Sequence, residues 1–191
     1  MKKLFIMMLL CAMSICVSAQ EHMSFKGVSM GNNLTTFMSQ LESKGYTTLL
    51  VREKGDGAVL SGSFAGKEDC KVFILVTQKS KLVWKVVVKF PERVSWSSLK
   101  SDYSSFKESY TEKYGVPQVY EYFTSPYYEG DGYELQALKL EKCTYASIFK
   151  TSLGGILLEI TDDKCVQVSY EDAINVEIKS KEKETIISND I

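Results

Sequence analysis

Four short stretches between Tyr46 and Phe90 restrict the fold of this chain more than any other feature. "YTTLLVRE", "AVLSGSFA", "CKVFILVTQ" and "LVWKVVVKF" are strand-length and largely alternating, and "KGDG", "GKED" and "KSK" separate them. Period-two alternation with a turn at every junction predicts an antiparallel meander. "FPERVSW" then ends the sheet, because Pro91 lacks the N–H that a central strand must donate.

An amphipathic helix is predicted ahead of this meander. In "NNLTTFMSQLESKGY", Leu34, Phe37, Met38 and Leu41 recur at helical spacing, with Asn32 or Asn33 as N-cap and Gly45 past the end. A second helix follows it: "SWSSLKSDYSSFKESYTEKYG" lines up Trp96, Leu99, Tyr103, Phe106, Tyr110 and Tyr114, and Gly115 and Pro117 stop it. That aromatic stripe reads as core, as does Trp84 within its strand, and Trp96 is expected beneath the start of the second helix. Strand-like stretches then return as "VPQVYEYF", "YELQALKL", "CTYASIFK", "GGILLEIT" and "CVQVSYE". "EDAIN" reads as one helical turn after the last of them.

The halves suggest an internal repeat. A shift of 73 residues lays Cys70 on Cys143, and Val83 and Val87 on Ile156 and Ile160. A shift of 69 lays Leu34, Phe37 and Leu41 on Tyr103, Phe106 and Tyr110. Two helices with one apolar stripe each have a sheet as the only large apolar surface to cover. The expected class is therefore α+β: two layers, helices packed on an antiparallel meander sheet, as a tandem repeat of a helix-plus-four-strand unit. The boundaries are a signal peptide over 1–19, units over 20–92 and 93–178, and a loose charged tail over 179–191.

The signal peptide is read from "MKKLFIMMLLCAMSICVSAQ". Lys2 and Lys3 precede an apolar run from Leu4 to Val17, and Val17-Ser18-Ala19 offers small residues for cleavage. The run is short for a membrane span. Leu10 and Ile15 before Cys11 and Cys16 speak against lipid attachment at either cysteine. Losing Lys2 and Lys3 lowers the basic residues from 23 to 21 against 24 acidic ones, a net charge near −3. That balance argues against a nucleic-acid partner, which requires a basic footprint, and no further stretch is apolar enough for membrane insertion after cleavage. An exported protein, periplasmic or at the cell surface, is expected.

Cys70, Cys143 and Cys165 would remain in an oxidising compartment. A Cys143–Cys165 disulfide with Cys70 free is one reading, and three buried thiols are the other. No zinc spacing is present, and the one histidine, His22, falls in a segment expected to fray. A single histidine there leaves no Ser-His-Asp or Cys-His arrangement, and no phosphate-binding, nucleophile-elbow or HExxH motif occurs. No catalytic residue, cofactor or metal is expected. Acidic residues cluster at predicted turns, as at Asp56, Glu68, Asp69, Glu129, Asp131, Asp162 and Asp163, where they act as turn formers.

The stretch "YEYFTSPYYEGDGYELQ" holds five of the eleven tyrosines. "VYEYF" and "YELQALKL" read as the strands of a hairpin about the turn "EGDG", with alternate tyrosines facing the helices. Tyr127 and Tyr128 fall in the connection and cannot both point inward in an extended segment. Tyr127, Tyr128, Glu129, Asp131 and Tyr133 are therefore the candidate binding residues, since rigid amphipathic rings favour contact surfaces. A calcium loop through Glu129, Asp131 and Glu134 matches no EF-hand spacing.

"MSFKGVSMGNNLTTFMSQLESKGY", "FAGKEDCKVFILV", "FPERVSWSSLKSDYSSFKESYTEKYGVP" and "VSYEDAIN" together resemble a family of exported proteins of Bacteroides-type bacteria. That resemblance implies export and no particular activity. The repeated helix-plus-meander layout is similar to the tandem fold of β-lactamase inhibitory proteins and to small envelope-assembly domains, in architecture alone. The expected function is non-catalytic binding of a protein or glycan. The alternatives are an inhibitor of a secreted hydrolase and a carboxylate-dependent glycosidase-like enzyme, which would need two carboxylates facing across a cleft.

Overall fold

The computed structural model describes residues 21–190; the expected signal peptide over 1–19 lies outside the described residues. The described residues open with a small hairpin of β1 (Ser24–Phe25) and β2 (Val28–Ser29), then α1 (Leu34–Glu42). Four strands follow: β3 (Thr47–Val51), β4 (Gly57–Phe64), β5 (Lys67–Val76) and β6 (Val83–Lys89). After α2 (Trp96–Tyr114) come β7 (Gln118–Phe123), α3 (Glu134–Lys139), β8 (Cys143–Thr151), β9 (Gly154–Ile160), β10 (Val166–Asp172) and α4 (Ala173–Asp190). β3 to β10 form one eight-stranded sheet in the order β3-β4-β5-β6-β10-β9-β8-β7, antiparallel throughout. The α+β class holds, and the two four-stranded meanders join through their last strands, β6 and β10.

Local chemistry explains the boundaries. Asn33 caps α1 by accepting from Thr36 N at 3.0 Å, and Ser95 caps α2 by accepting from Ser98 N at 3.3 Å. Gly115 ends α2 with φ of +86°, open to glycine at no steric cost. Gly154 is the tightest requirement. A β-carbon there would lie 1.9 Å from Glu171 O, so the start of β9 approaches β10 at a distance only glycine allows.

Alternation divides the sheet into two faces. One carries Leu60, Val72, Val86, Val88, Val168, Leu158 and Phe149, all nearly or fully buried. The apolar stripes of α1 (Leu34, Phe37, Leu41) and α2 (Leu99, Tyr103, Phe106, Tyr110) are buried with them in one hydrophobic core. Polar tips within this core are paired: Tyr103 OH meets Ser147 Oγ at 2.6 Å, and Tyr110 OH bonds Tyr170 OH. Phe25 of the first hairpin stacks on Phe64 with ring centroids 5.3 Å apart. The sequence reading did not anticipate that hairpin. Residues of opposite parity, among them Phe73, Val87 and Leu157, lie on the other face and are half-buried.

Several expectations are corrected. "YELQALKL" is not a strand: residues 134–139 form α3, so the hairpin about "EGDG" does not exist, and β7 pairs with β8 instead. Glu, Leu, Gln, Ala and Lys are all good helix formers, and the segment has no β-branched residue. Alternation was the weaker signal there. The tail over 179–191 is not loose, since α4 runs through to Asp190. Its inward stripe includes Asn175, Ile178, Glu182 and Ile186. Two of those four are polar, so the stripe leaves no clear hydropathy period. Trp84 is half-buried instead of core, with Lys179 Nζ 3.4 Å from its ring centroid.

The 73-residue shift also fails. It lays β5 and β6 on β8 and β9, whereas the third and fourth strands of the second meander are β9 and β10. The connection between β7 and β8, residues 124–142, replaces the short connection of residues 52–56 between β3 and β4. That insertion displaces every later strand relative to the helix alignment.

Candidate functional site

The long connection between β7 and β8 presents the candidate residues. Its base is closed by Thr124 N donating to Lys142 O at 2.7 Å, and the Ser125–Pro126 bond is cis. Asp131 organises the tip: Oδ2 accepts from Tyr128 N at 3.1 Å, and Oδ1 accepts from Tyr133 N at 2.7 Å. Gly130 N donates to Glu134 Oε1 at 2.9 Å. With their backbones tied to one carboxylate, Tyr128 and Tyr133 stand 64% and 60% exposed. Tyr127 turns in, packs on the core and accepts from Gln136 Nε2 at 3.2 Å. Pro126, the three tyrosines, Asp131 and Gln136 line an open hollow of about 410 Å³.

Four of the five candidates thus meet at one hollow, and Glu129 does not. Its carboxylate faces α2, paired with Lys100 Nζ and accepting from Tyr145 OH at 3.2 Å. Lys100 holds the Glu129 carboxyl below its ordinary pKa, against a smaller opposing effect of burial. Glu129 and Glu134 point to different internal partners, and the described residues contain no group of three or more His, Cys, Asp or Glu able to hold a metal ion. Gln136 is the lining residue that sequence reasoning missed, because it lay in a segment read as strand.

Tyr120 and Tyr122, on the edge strand, also depart from expectation. They were expected among alternate rings facing the helices, but they share the face of Ala146 and Thr144 and stand 39% and 53% exposed. Glu121 and Phe123 take the helix side, where Glu121 pairs with Lys107 and Phe123 packs edge-on against Trp96.

The Cys143–Cys165 disulfide is absent: all three described cysteines are free and buried. Cys143 opens β8 and Cys165 immediately precedes β10, with β9 between them. Two strand spacings are roughly 9–10 Å, beyond the Cα separation that a disulfide spans. Burial raises the pKa of each thiol, that of Cys143 to about 12. His22 does not fray either. Its Nδ1 lies 3.0 Å from Oδ1 of the fully buried Asp172, which also accepts from Met23 N at 2.7 Å and Asn175 N at 2.9 Å.

Another hollow, about 570 Å³, lies at one end of the sheet between β5, the end of β6 and the turn that precedes β10. Its charges largely answer one another, as in the Lys89–Asp163 and Lys164–Glu92 pairs, and its thiol, Cys165, is buried with a raised pKa. No helix among the described residues is long and apolar enough to cross a membrane. No protein family, curated protein or solved structure matches the chain.

Proposed function

We propose that this chain is an exported, non-catalytic binding protein of the cell envelope, engaging a protein or glycan through the loop that joins β7 to β8. The observation that carries the reading is the double hydrogen bond of Asp131 to Tyr128 N and Tyr133 N. It fixes the backbone that carries two exposed rings before any ligand arrives, and such preorganisation lowers the entropic cost of binding. The apolar faces of the rings and the amide of Gln136 suit a sugar ring or a protein side chain equally.

The proposal includes a layout of two related units, each a helix followed by four strands, with the helices on one face of a shared sheet. The matching order of elements on either side of residue 92 and the alignment of the two helix stripes support it. The resemblance to exported proteins of Bacteroides-type bacteria, and the leader over 1–19, support the cellular address.

The test displays the mature chain and its Tyr128→Ala/Tyr133→Ala variant against an array of envelope glycans and against blotted envelope proteins. A specific ligand of the parent that the variant binds about tenfold more weakly, at unchanged melting temperature, supports the loop. Equal binding by both overturns it.

A further inference from the structure

We propose that the sheet face turned away from α1 and α2 is a second binding surface, shaped to receive an acidic amphipathic helix of a partner protein. The floor is one cross-strand row. Val59, Phe73, Val87, Ser169, Leu157 and Ile148 are successive register partners across β4, β5, β6, β10, β9 and β8. Five strand spacings of about 4.8 Å make the row roughly 24 Å long. That is the length of about 16 residues of α-helix. A helix laid on a sheet is the ordinary way to cover such a row.

The row is open. Two hollows lie along it, about 300 Å³ around Phe73 and Val87 and about 220 Å³ around Leu157 and Ser169. No helix residue lines either one. Ser169 lies in mid-row with 1% exposure, and its Oγ has no hydrogen-bond partner. Its neighbours cover that hydroxyl, so what the row presents to an incoming chain is apolar.

Charge selects the occupant. Arg52, Lys71, Lys85, Lys89 and Lys150 flank the row, against Glu159, Glu171 and the Asp163 that pairs with Lys89. Lys85 is paired with Glu171 and Lys89 with Asp163, whereas Arg52, Lys71 and Lys150 make no ion pair among the described residues. The hollow around Phe73 has three cations on its rim and no carboxylate. A second copy placed face to face would set these cations against one another, while glutamates flanking an apolar stripe would meet them.

The test uses two 16-residue synthetic peptides with the same leucine stripe, one flanked by glutamates and one by lysines. Each is fluorescently labelled and titrated into the mature chain while anisotropy is followed. The glutamate peptide is expected to bind at least about tenfold more tightly than the lysine peptide. The preference should shrink in Arg52→Glu/Lys71→Glu, and affinity should fall about tenfold in Phe73→Ser. Both variants are expected to melt within a few degrees of the parent, because these side chains lie outside the helix-covered core. The proposal is overturned if neither peptide binds, if both bind alike, or if both variants bind like the parent. It is also overturned if Tyr128→Ala/Tyr133→Ala abolishes binding, which would move the site to the loop and leave the reading of that loop standing.

Discussion

Leu157 and Leu158 are neighbours in one strand, of one residue type, and yet belong to different environments. Leu158 is fully buried on the face that the α2 stripe covers, and its register partner Ser147 hydrogen-bonds Tyr103 of that helix. Leu157 lies half-buried along a hollow lined by strand residues alone. The same division separates Val72 from Phe73 and Val86 from Val87. The covered face is packed by the helix stripes and pairs Tyr103 with Ser147 and Tyr110 with Tyr170, although Trp96 Nε1 is buried there without a partner. The open face carries apolar floor, excess cations and an unpartnered Ser169 hydroxyl. That open face is the surface proposed above for the partner helix.

Substitutions can break this comparison. Leu158→Ala leaves a cavity in a closed core and is expected to cost about 2–5 kcal/mol. That corresponds to a fall of roughly 4–20 °C in melting temperature for a domain of this size. Calorimetry of the purified mature chain measures it, and a shift below about 2 °C would mean that the covered face is not packed as described.

The next effect tests whether α4 belongs to the closed part of the molecule. Glu182 accepts from Lys79 N at 2.7 Å and Ser80 N at 2.9 Å, and also from Ser80 Oγ, so it caps the turn between β5 and β6. Burial acts to raise its pKa, but these hydrogen bonds prevail and hold it below the ordinary value of 4.5. Because the folded pKa is depressed, the stabilisation is complete above the unfolded pKa and is lost as pH falls through the folded one. Glu182→Gln should cost about 1–3 kcal/mol at pH 7. Melting curves of parent and variant should converge once the pH drops below the ordinary glutamate range. A constant difference down to the lowest pH at which the chain folds would rule out the carboxylate as the anchor.

Leu157→Ala should cost about 1 kcal/mol or less, since its half-exposed side chain gives up little buried area. The ratio of the two leucine effects is the sharpest measure of the asymmetry between faces. Equal losses would show that the open face is as closed as the other. The smallest expected effect is none: with three buried free thiols of raised pKa, a reductant should leave the melting temperature unchanged. Ellman's reagent should label the cysteines only after unfolding, and rapid labelling of the native chain would contradict their burial.

Much of the covered face was readable as pattern. The α1 and α2 stripes, the Asn33 cap of α1, the Gly115 stop of α2 and the strands of both meanders follow from apolar periodicity and turn residues. Where a side chain satisfies two patterns, the reading failed. "YELQALKL" alternates and yet consists of helix formers, and contact with the rest of the fold decided for helix. The α4 stripe was hidden because Asn175 and Glu182 dock by hydrogen bonds that hydropathy does not register. At the loop, Tyr127, Tyr128 and Tyr133 could be named as candidates, with Tyr127 and Tyr128 expected at the surface. The turning-in of Tyr127 and the pairing of Glu129 with Lys100 depend on residues far along the chain.

Sequence by itself determined which residues alternate, where α1 and α2 lie, and that these elements form an α+β chain, since each property is set by neighbours a few residues apart. Only tertiary structure decided that the two meanders join through β6 and β10, that β9 separates Cys143 from Cys165, and that one face of the sheet stays open. Those outcomes depend on which strand edges meet and on how many helices there are to cover two faces. Local periodicity carries no information about either.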